Sequence, residues 1–210
     1  MKYEQLKRVM DIFLALFLGT IFFPVSLLVA LAVKLESPDG PVFADTPNRV
    51  GKNGRLFHTY KFRSMIPNAV KYLKSNPGLL EKYKKSSFKL HDDPRVTKVG
   101  KFIRKYSLDE VPQFINILKG EMSLIGPRPY YSDELEEQQA KYPQTQDLVK
   151  KALSVRPGVT GIWQVSGRSD INFDKRIEMD SHYAENMNLW YDLKILFKTP
   201  FVMLSGKGAV

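Results

Sequence analysis

Ile12–Val33 reads IFLALFLGTIFFPVSLLVALAV, a run of 22 residues without a charged side chain, in which Thr20 and Ser26 are the only hydroxyl groups. As a helix it is about 33 Å long, enough for a hydrocarbon core of roughly 30 Å. The run is too long for the apolar region of a signal peptide, and Lys34-Leu35-Glu36 after it is no small-residue cleavage site. The expectation is a membrane-attached chain. Pro24 removes the amide that would bond the Thr20 carbonyl and clashes there, so the helix kinks or breaks. Lys2, Lys7 and Arg8 precede the run, and residues 34–210 carry 29 basic and 20 acidic side chains. Both flanks favour the cytoplasm. A re-entrant helix broken at Pro24 satisfies both; a kinked span and a helix buried in a soluble core are the alternatives.

The organisation expected is residues 1–36 as re-entrant membrane helix and 37–210 as a cytoplasmic catalytic domain. Its class is α+β, mainly helical, with a small β-hairpin and amphipathic interfacial helices. The 210-residue chain has no cysteine, which excludes a disulfide framework, a thiolate zinc site and a cysteine nucleophile. His58, His91 and His182 are scattered and leave little for an imidazole metal cluster. A net charge of +10 implies an anionic partner: nucleic acid, a phosphorylated substrate or an anionic membrane. No internal repeat or low-complexity tract is present.

Pro38, Gly40, Pro41 and Pro47 make residues 34–48 a linker. Residues 49–63, RVGKNGRLFHTYKFR, read as a hairpin turning at Lys52-Asn53-Gly54, and alternation along its second strand points Lys61 and Arg63 the same way. Residues 67–90 are expected to be helical around a Pro77-Gly78 break. Between Pro94 and Ser107, Val96, Val99, Phe102, Ile103 and Tyr106 mark an amphipathic helix. From Lys82 to Lys105 there are nine basic and two acidic residues, which suits anionic membrane lipids. Nucleic acid is the competing use of this stripe, disfavoured for a membrane-held chain. Val111, Phe114, Ile115 and Leu118 mark the face of the next helix, with Gly120 at its C-terminal cap. The aromatic C-terminal segment, interrupted by Lys194, Lys198 and Pro200, suits the membrane interface.

Asp109-Glu110 has two readings. Ser107-x-x-Glu110 is capping-box spacing, and Asp109 in a first turn complements the helix dipole. Alternatively, Arg104 and Lys105 one turn upstream and the orphan amides of a helix start hold a phosphate beside two carboxylates. Adjacent carboxylates repel unless a cation joins them, and hard oxygen ligands with phosphate suit Mg²⁺. Arg128 stands between Pro127 and Pro129, so its guanidinium is either presented on a stiff loop or held in a structural salt bridge. Gly158, Gly161 and Gly167 would let backbone approach a ligand, and Trp163 either stacks on a base or fills the core.

The segments KRVMDIFLALFL, SPDGPVF, HTYKFRSM, DDPRVTKVGKFIRKYSLDEVPQFINILKGEMSLIGPRP and RPGVTGIWQVSGR resemble the bacterial sugar transferase family, the monotopic phosphoglycosyl transferases. The resemblance covers nearly the whole chain. It implies transfer of a sugar 1-phosphate from a UDP-sugar to undecaprenyl phosphate, with Mg²⁺ and release of UMP, at the cytoplasmic face of the bacterial inner membrane. It assigns Asp109 as nucleophile, Glu110 as its partner at the metal site and Arg104 as phosphate holder, with Pro24 at the helix break. Lys61, Arg63, Arg128 and Arg168 are the further substrate-binding residues expected, the donor is expected to be UDP-glucose or UDP-galactose, and a homodimer is possible. Phe23 stands where the family often has serine, and Asp39 is extra in SPDGP. With no apolar run before Ile12, the chain resembles a minimal or truncated member. A polyprenyl phosphate is mostly ionised near pH 7, its second pKa being about 6, so it needs no general base. An aspartate nucleophile likewise needs no activation. A membrane glycosyltransferase releasing UDP and a non-catalytic basic scaffold are the other readings; the first usually wants a D-x-D motif, and Asp92-Asp93 is contiguous.

Overall fold

In the computed structural model, residues 3–86, 90, 92–167 and 171–205 are described. The chain is mainly helical. Helix α1 (Tyr3–Glu36) is followed by strands β1 (Arg49–Val50) and β2 (Leu56–Phe57), then α2 (Ala69–Lys74), α3 (Pro77–Lys85) and α4 (Lys98–Lys105). Next come α5 (Phe114–Lys119), β3 (Ser123–Ile125), β4 (Tyr130–Tyr131), α6 (Ser132–Lys141) and α7 (Gln146–Ala152). Strand β5 (Gly158–Thr160), α8 (Ile162–Ser166), α9 (Phe173–Asn186) and α10 (Leu189–Ser205) complete the order. Two small sheets interleave with the helices. In one, β1 lies between β2 and β4 and is antiparallel to both; in the other, β3 and β5 are parallel, Ser123 facing Gly158 and Ile125 facing Thr160.

Helix α1 is long and apolar enough to cross a membrane. Pro24 lies inside it and does not interrupt it, so the expected break is not an end of helical structure. The proline withholds one amide and leaves its neighbours' bonds available. The helix ends pack on the rest of the chain, while most of Thr20–Leu28 is exposed. Near the N-terminus, Lys7 pairs with Asp192 at 2.7 Å and Arg8 donates to the Ile117 and Leu118 carbonyls. Asp11 accepts from Ser123 Oγ and Leu124 N, both at 2.9 Å. Ala15 then enters a core with Phe57, Ile117, Met122, Leu124, Ile125, Tyr183 and Ile195. At the other end Val29 and Val33 meet Phe62 and Ile103, and Glu36 accepts from the Lys98 and Val99 amides that open α4. Burial of each such aliphatic side chain stabilises by about 1.5–3 kcal/mol. The opposite face of α1, including Phe13, Phe17, Ile21, Leu28 and Leu31, is exposed, as are Trp190, Phe197, Phe201 and Leu204 of α10.

A third core gathers Val50, Tyr130, Leu135, Val149, Ala152, Phe173 and Ile177 between the first sheet and α6, α7 and α9. The hairpin forms around Asn53 and Gly54, both at positive φ, but its ladder ends at Phe57. The C-terminal aromatic segment is one helix that carries Lys194, Lys198 and Pro200 within it. In α5 the buried residues are Asn116 and Ile117, whereas Ile115 and Leu118 are exposed: the face is rotated from the one expected. In α4 likewise Ile103 is buried and Phe102 is exposed.

Candidate active site

A six-residue 3-10 turn, Leu108–Gln113, joins α4 to α5 and carries Asp109 and Glu110. Ser107 before it adopts a left-handed conformation (φ 55°) and makes no capping bond from its side chain, so the capping-box reading of Ser107 and Glu110 is corrected. A hydroxyl caps from an extended residue, and the sharp reversal from α4 into the turn removes that geometry. Asp109 is 7% exposed.

The segment after β2 clamps this turn. Phe62 N donates to the Asp109 carbonyl at 2.9 Å, and the neighbouring Lys61 Nζ donates to Glu110 Oε1 at 2.5 Å. Two residues on, Ser64 holds α4: its carbonyl accepts from Thr97 N at 3.2 Å, and its hydroxyl accepts from Arg104 Nε at 3.0 Å. Gly100 permits this approach, since a Cβ there would fall 2.0 Å from the Ser64 oxygen. One extended segment therefore sets Lys61, Arg104 and both carboxylates relative to one another.

Burial pushes the Asp109 carboxyl up to about 6; the Lys61 and Arg104 charges pull it down, and the Glu110 charge pushes it up. For Glu110 burial also opposes ionisation, but Lys61, through its charge and hydrogen bond, together with Arg128 and Arg49, holds it below the ordinary range. Near neutral pH both side chains carry charge, with Asp109 the easier to protonate. Among the described residues no group of three or more His, Asp or Glu side chains is placed to hold a metal. The donor set is two adjacent carboxylates. That set fits Mg²⁺, which keeps water and takes substrate phosphate oxygens, and does not fit an all-protein cage.

Arg128 adjoins this group. Its backbone N donates to Asp180 Oδ2 at 3.0 Å, and its guanidinium lies 4.9 Å from the Trp163 ring and 5.9 Å from that of Tyr130. Arg63 is not brought to the carboxylates. Its guanidinium donates to Ser37 Oγ, to the Ser37 carbonyl and to the Pro41 carbonyl, pinning the linker beside α1. The pairing with β1 stops at Phe57, but Phe62 bridges antiparallel to Phe43, with Ala44 N donating to the Lys61 carbonyl and Arg63 N to the Val42 carbonyl, so Lys61 and Arg63 flank a bridged residue as expected while their side chains reach different partners. Arg168 lies outside the described residues. Gly158 and Gly161 serve contact between chain segments, for a Cβ on them would fall 2.1 Å from Gly126 N and 2.2 Å from Gly126 O. Arg49 was not singled out by sequence reasoning; it donates to the Pro129 carbonyl at 2.9 Å and stacks 3.3 Å over Tyr131. Its position in the basic hairpin was visible, but the β1–β4 pairing that delivers it spans about 80 residues of chain.

The family model for bacterial sugar transferases matches residues 2–206. An undecaprenyl-phosphate galactose phosphotransferase of Salmonella typhimurium (strain LT2) is 46% identical over 207 residues, covering 97% of this chain and 41% of the relative. The exopolysaccharide production protein ExoY of Sinorhizobium fredii is 44% identical over 204 residues, covering 95% of this chain and 86% of the relative. A UDP-glucose:undecaprenyl-phosphate glucose-1-phosphate transferase of Escherichia coli (strain K12) is 39% identical, covering 97% of this chain. The chain spans about two fifths of the length of the Salmonella and Escherichia relatives.

Proposed function

The chain belongs to the bacterial sugar transferase family, and we propose that it transfers a hexose 1-phosphate from UDP-glucose or UDP-galactose to undecaprenyl phosphate, releasing UMP. The observation that carries this reading is the pair of buried Asp109 and half-buried Glu110, set against Lys61 and Arg104 by one extended segment. Relatives named for galactose and glucose phosphotransfer to undecaprenyl phosphate support the substrate classes. The transfer would open a membrane stage of exopolysaccharide, capsule or O-antigen synthesis, and an exopolysaccharide production protein stands among the relatives.

Asp109 attacks the β-phosphorus of the donor, the bond to the bridging oxygen breaks, and UMP leaves with that oxygen. The hexose phosphate remains on Asp109 as an acyl phosphate. An oxygen of the lipid phosphate then attacks the same phosphorus and returns Asp109 to a carboxylate. Neither nucleophile needs a base: Asp109 titrates near 6, and the lipid phosphate is mostly ionised above about pH 6. Arg104, steadied by Ser64, stabilises charge on the phosphoryl oxygens, while Lys61 keeps Glu110 ionised beside the nucleophile. When bound, Mg²⁺ would be held by Asp109 and Glu110 and would neutralise phosphate charge.

Attachment is to one face of the membrane, the cytoplasmic face of the inner membrane. Support comes from α1, whose two ends bond the same body: Lys7, Arg8 and Asp11 at one end, Glu36 at the other. A straight span would carry the first group to the far side. Nucleotide release tests the reaction: UMP formed from UDP-hexose over many turnovers only when undecaprenyl phosphate is present is the expected result, and UDP as the sole product would refute it.

A further inference from the structure

Beyond the carboxylates lies a connected set of buried polar atoms without hydrogen-bond partners: Arg128 Nε, Tyr130 Oη, Trp163 Nε1, Arg176 Nε and Nη1, and Asp180 Oδ1. Leaving such atoms unpaired costs stability, so a cluster of them is not explained by stability. The groups adjoin. The Arg128 guanidinium contacts the Trp163 and Tyr130 rings, Arg176 lies 5.9 Å from the Tyr130 ring centre, and Asp180 accepts from Arg128 N through its other oxygen. Arg128 and Trp163 are half-buried, and Tyr130, Arg176 and Asp180, all at 3% exposure or less, are buried with them. The charges of Arg128 and Glu110 act on one another, which puts Arg128 within electrostatic range of the carboxylate pair.

We propose that Trp163, Arg128, Tyr130, Arg176 and Asp180 form the pocket that receives the hexosyl ring of the donor and sets which hexose is accepted; this rests on the phosphoglycosyl transfer proposed above. The unpaired atoms are of both kinds, arginine and indole N–H groups that donate and a carboxylate oxygen that accepts. A hydroxyl both donates and accepts, so a polyhydroxylated ring satisfies the mixture. A phosphate would meet the ionised Asp180 Oδ1 as an acceptor facing an acceptor. The aromatic faces of Trp163 and Tyr130 offer apolar contact to the C–H face of a sugar. A pocket of this kind rejects a wrong epimer strongly, because a misdirected hydroxyl leaves buried polar groups unpaired.

The full-length chain, assayed with undecaprenyl phosphate and Mg²⁺, is compared with Asp180→Asn and Trp163→Phe. UMP release is measured for UDP-glucose, UDP-galactose and their two N-acetylhexosamine counterparts, together with inhibition by UMP and the melting temperature at pH 8. Asp180→Asn retains an acceptor for Arg128 N and exchanges the unpaired acceptor for a donor; Trp163→Phe keeps the ring and removes the N–H. The expected result is a change of roughly tenfold or more in the kcat/KM ratio between donors, with UMP inhibition unchanged within about twofold and the melting temperature not lowered. An unchanged donor ratio overturns the pocket as a purely structural cluster, and UMP inhibition that weakens in step with turnover overturns it by assigning the cluster to the nucleotide. If Asp180→Asn does not fold, Trp163→Phe decides by the same criteria. A wild-type chain that turns over no UDP-sugar in the panel refutes the transfer itself, an outcome distinct from an active enzyme with a fixed donor ratio.

Discussion

Replacing Lys61 with methionine removes the cation that faces both carboxylates. Lys61 is the leading charge opposing protonation of Asp109, whose carboxyl sits at about 6, and it directly bonds Glu110. At about 5 Å and an effective dielectric near 20, a unit charge is worth about 3 kcal/mol. The Lys61 and Glu110 side chains keep 18% and 28% exposure, so screening reduces this by roughly half. What is left corresponds to about one pH unit, at 1.36 kcal/mol per unit. The sign follows from the reactive form: Asp109 attacks ionised, so the rate is lost as pH falls through its pKa. Loss of Lys61 raises that pKa and moves the limb upward. Initial rates of UMP release at saturating donor and fixed Mg²⁺, from pH 5 to 9, should show a midpoint near 6 in the wild type and near 7 or above in Lys61→Met. Lys61→Arg, which keeps the charge, should stay within about half a unit of the wild type. A limb that does not move in Lys61→Met, or moves equally in both variants, would refute the assignment of Lys61 as the charge that keeps the pair ionised.

Asp180 gives a stability prediction of defined sign. Burial raises its folded pKa to about 7 from 3.8, so the folded state holds the extra proton and stability falls as pH rises between those values. Asp180→Asn should flatten that decline and melt higher at pH 8, by at least about 1 kcal/mol or roughly 2–4 °C, while gaining nothing at pH 4; a variant with the wild-type slope would contradict this. Glu36→Ala removes the carboxylate that accepts from Lys98 N and Val99 N and should lower the melting temperature by about 1 kcal/mol, or roughly 2–4 °C, with Glu36→Gln falling in between. Because the chain has no cysteine, single cysteines at Glu4 and Lys34 can be labelled in oriented vesicles. Both should react from the cytoplasmic side alone, and periplasmic labelling at Glu4 would end the one-face arrangement.

Local features of the chain were legible. The apolar run from Ile12 to Val33 announced α1 because its length and composition have few other uses, although the helix reaches Tyr3 and Glu36 through polar ends that bond distant residues. Pro77 marks the start of α3, and Gly120 at φ 82° ends α5 as its position suggested. Helix α4 was expected from Pro94, but Thr97 caps it, and the buried Asp93–Arg95 pair holds the preceding residues in a turn. Arg104, Asp109 and Glu110 could be associated from sequence because they fall within two turns of chain. Lys61 and Glu110, 49 residues apart, and Arg128 and Asp180, 52 apart, are joined by tertiary packing that local periodicity does not encode. The same holds for strands β3 and β5, three residues each, which read as loop and turn because Gly126-Pro127 and Pro157-Gly158 stand beside or at the start of them and each pairs with the other across about 35 residues of chain. Arg63 shows that alternation sets the side of an extended segment and not the partner a long side chain reaches. Its guanidinium donates to Ser37 Oγ and to the Ser37 and Pro41 carbonyls at the start of the linker.

The covalent role of Asp109 is most directly tested without the acceptor. Enzyme mixed with UDP-hexose and Mg²⁺, in the absence of undecaprenyl phosphate, should release UMP in one burst of up to one equivalent. Rapid quenching and mass spectrometry should then find one added hexose phosphate at Asp109, and folded Asp109→Asn, checked for deamidation, should give neither burst nor adduct. An enzyme that turns over normally once the lipid is added, yet shows no burst and no adduct before it, would contradict the account and leave direct attack by the lipid phosphate as the route.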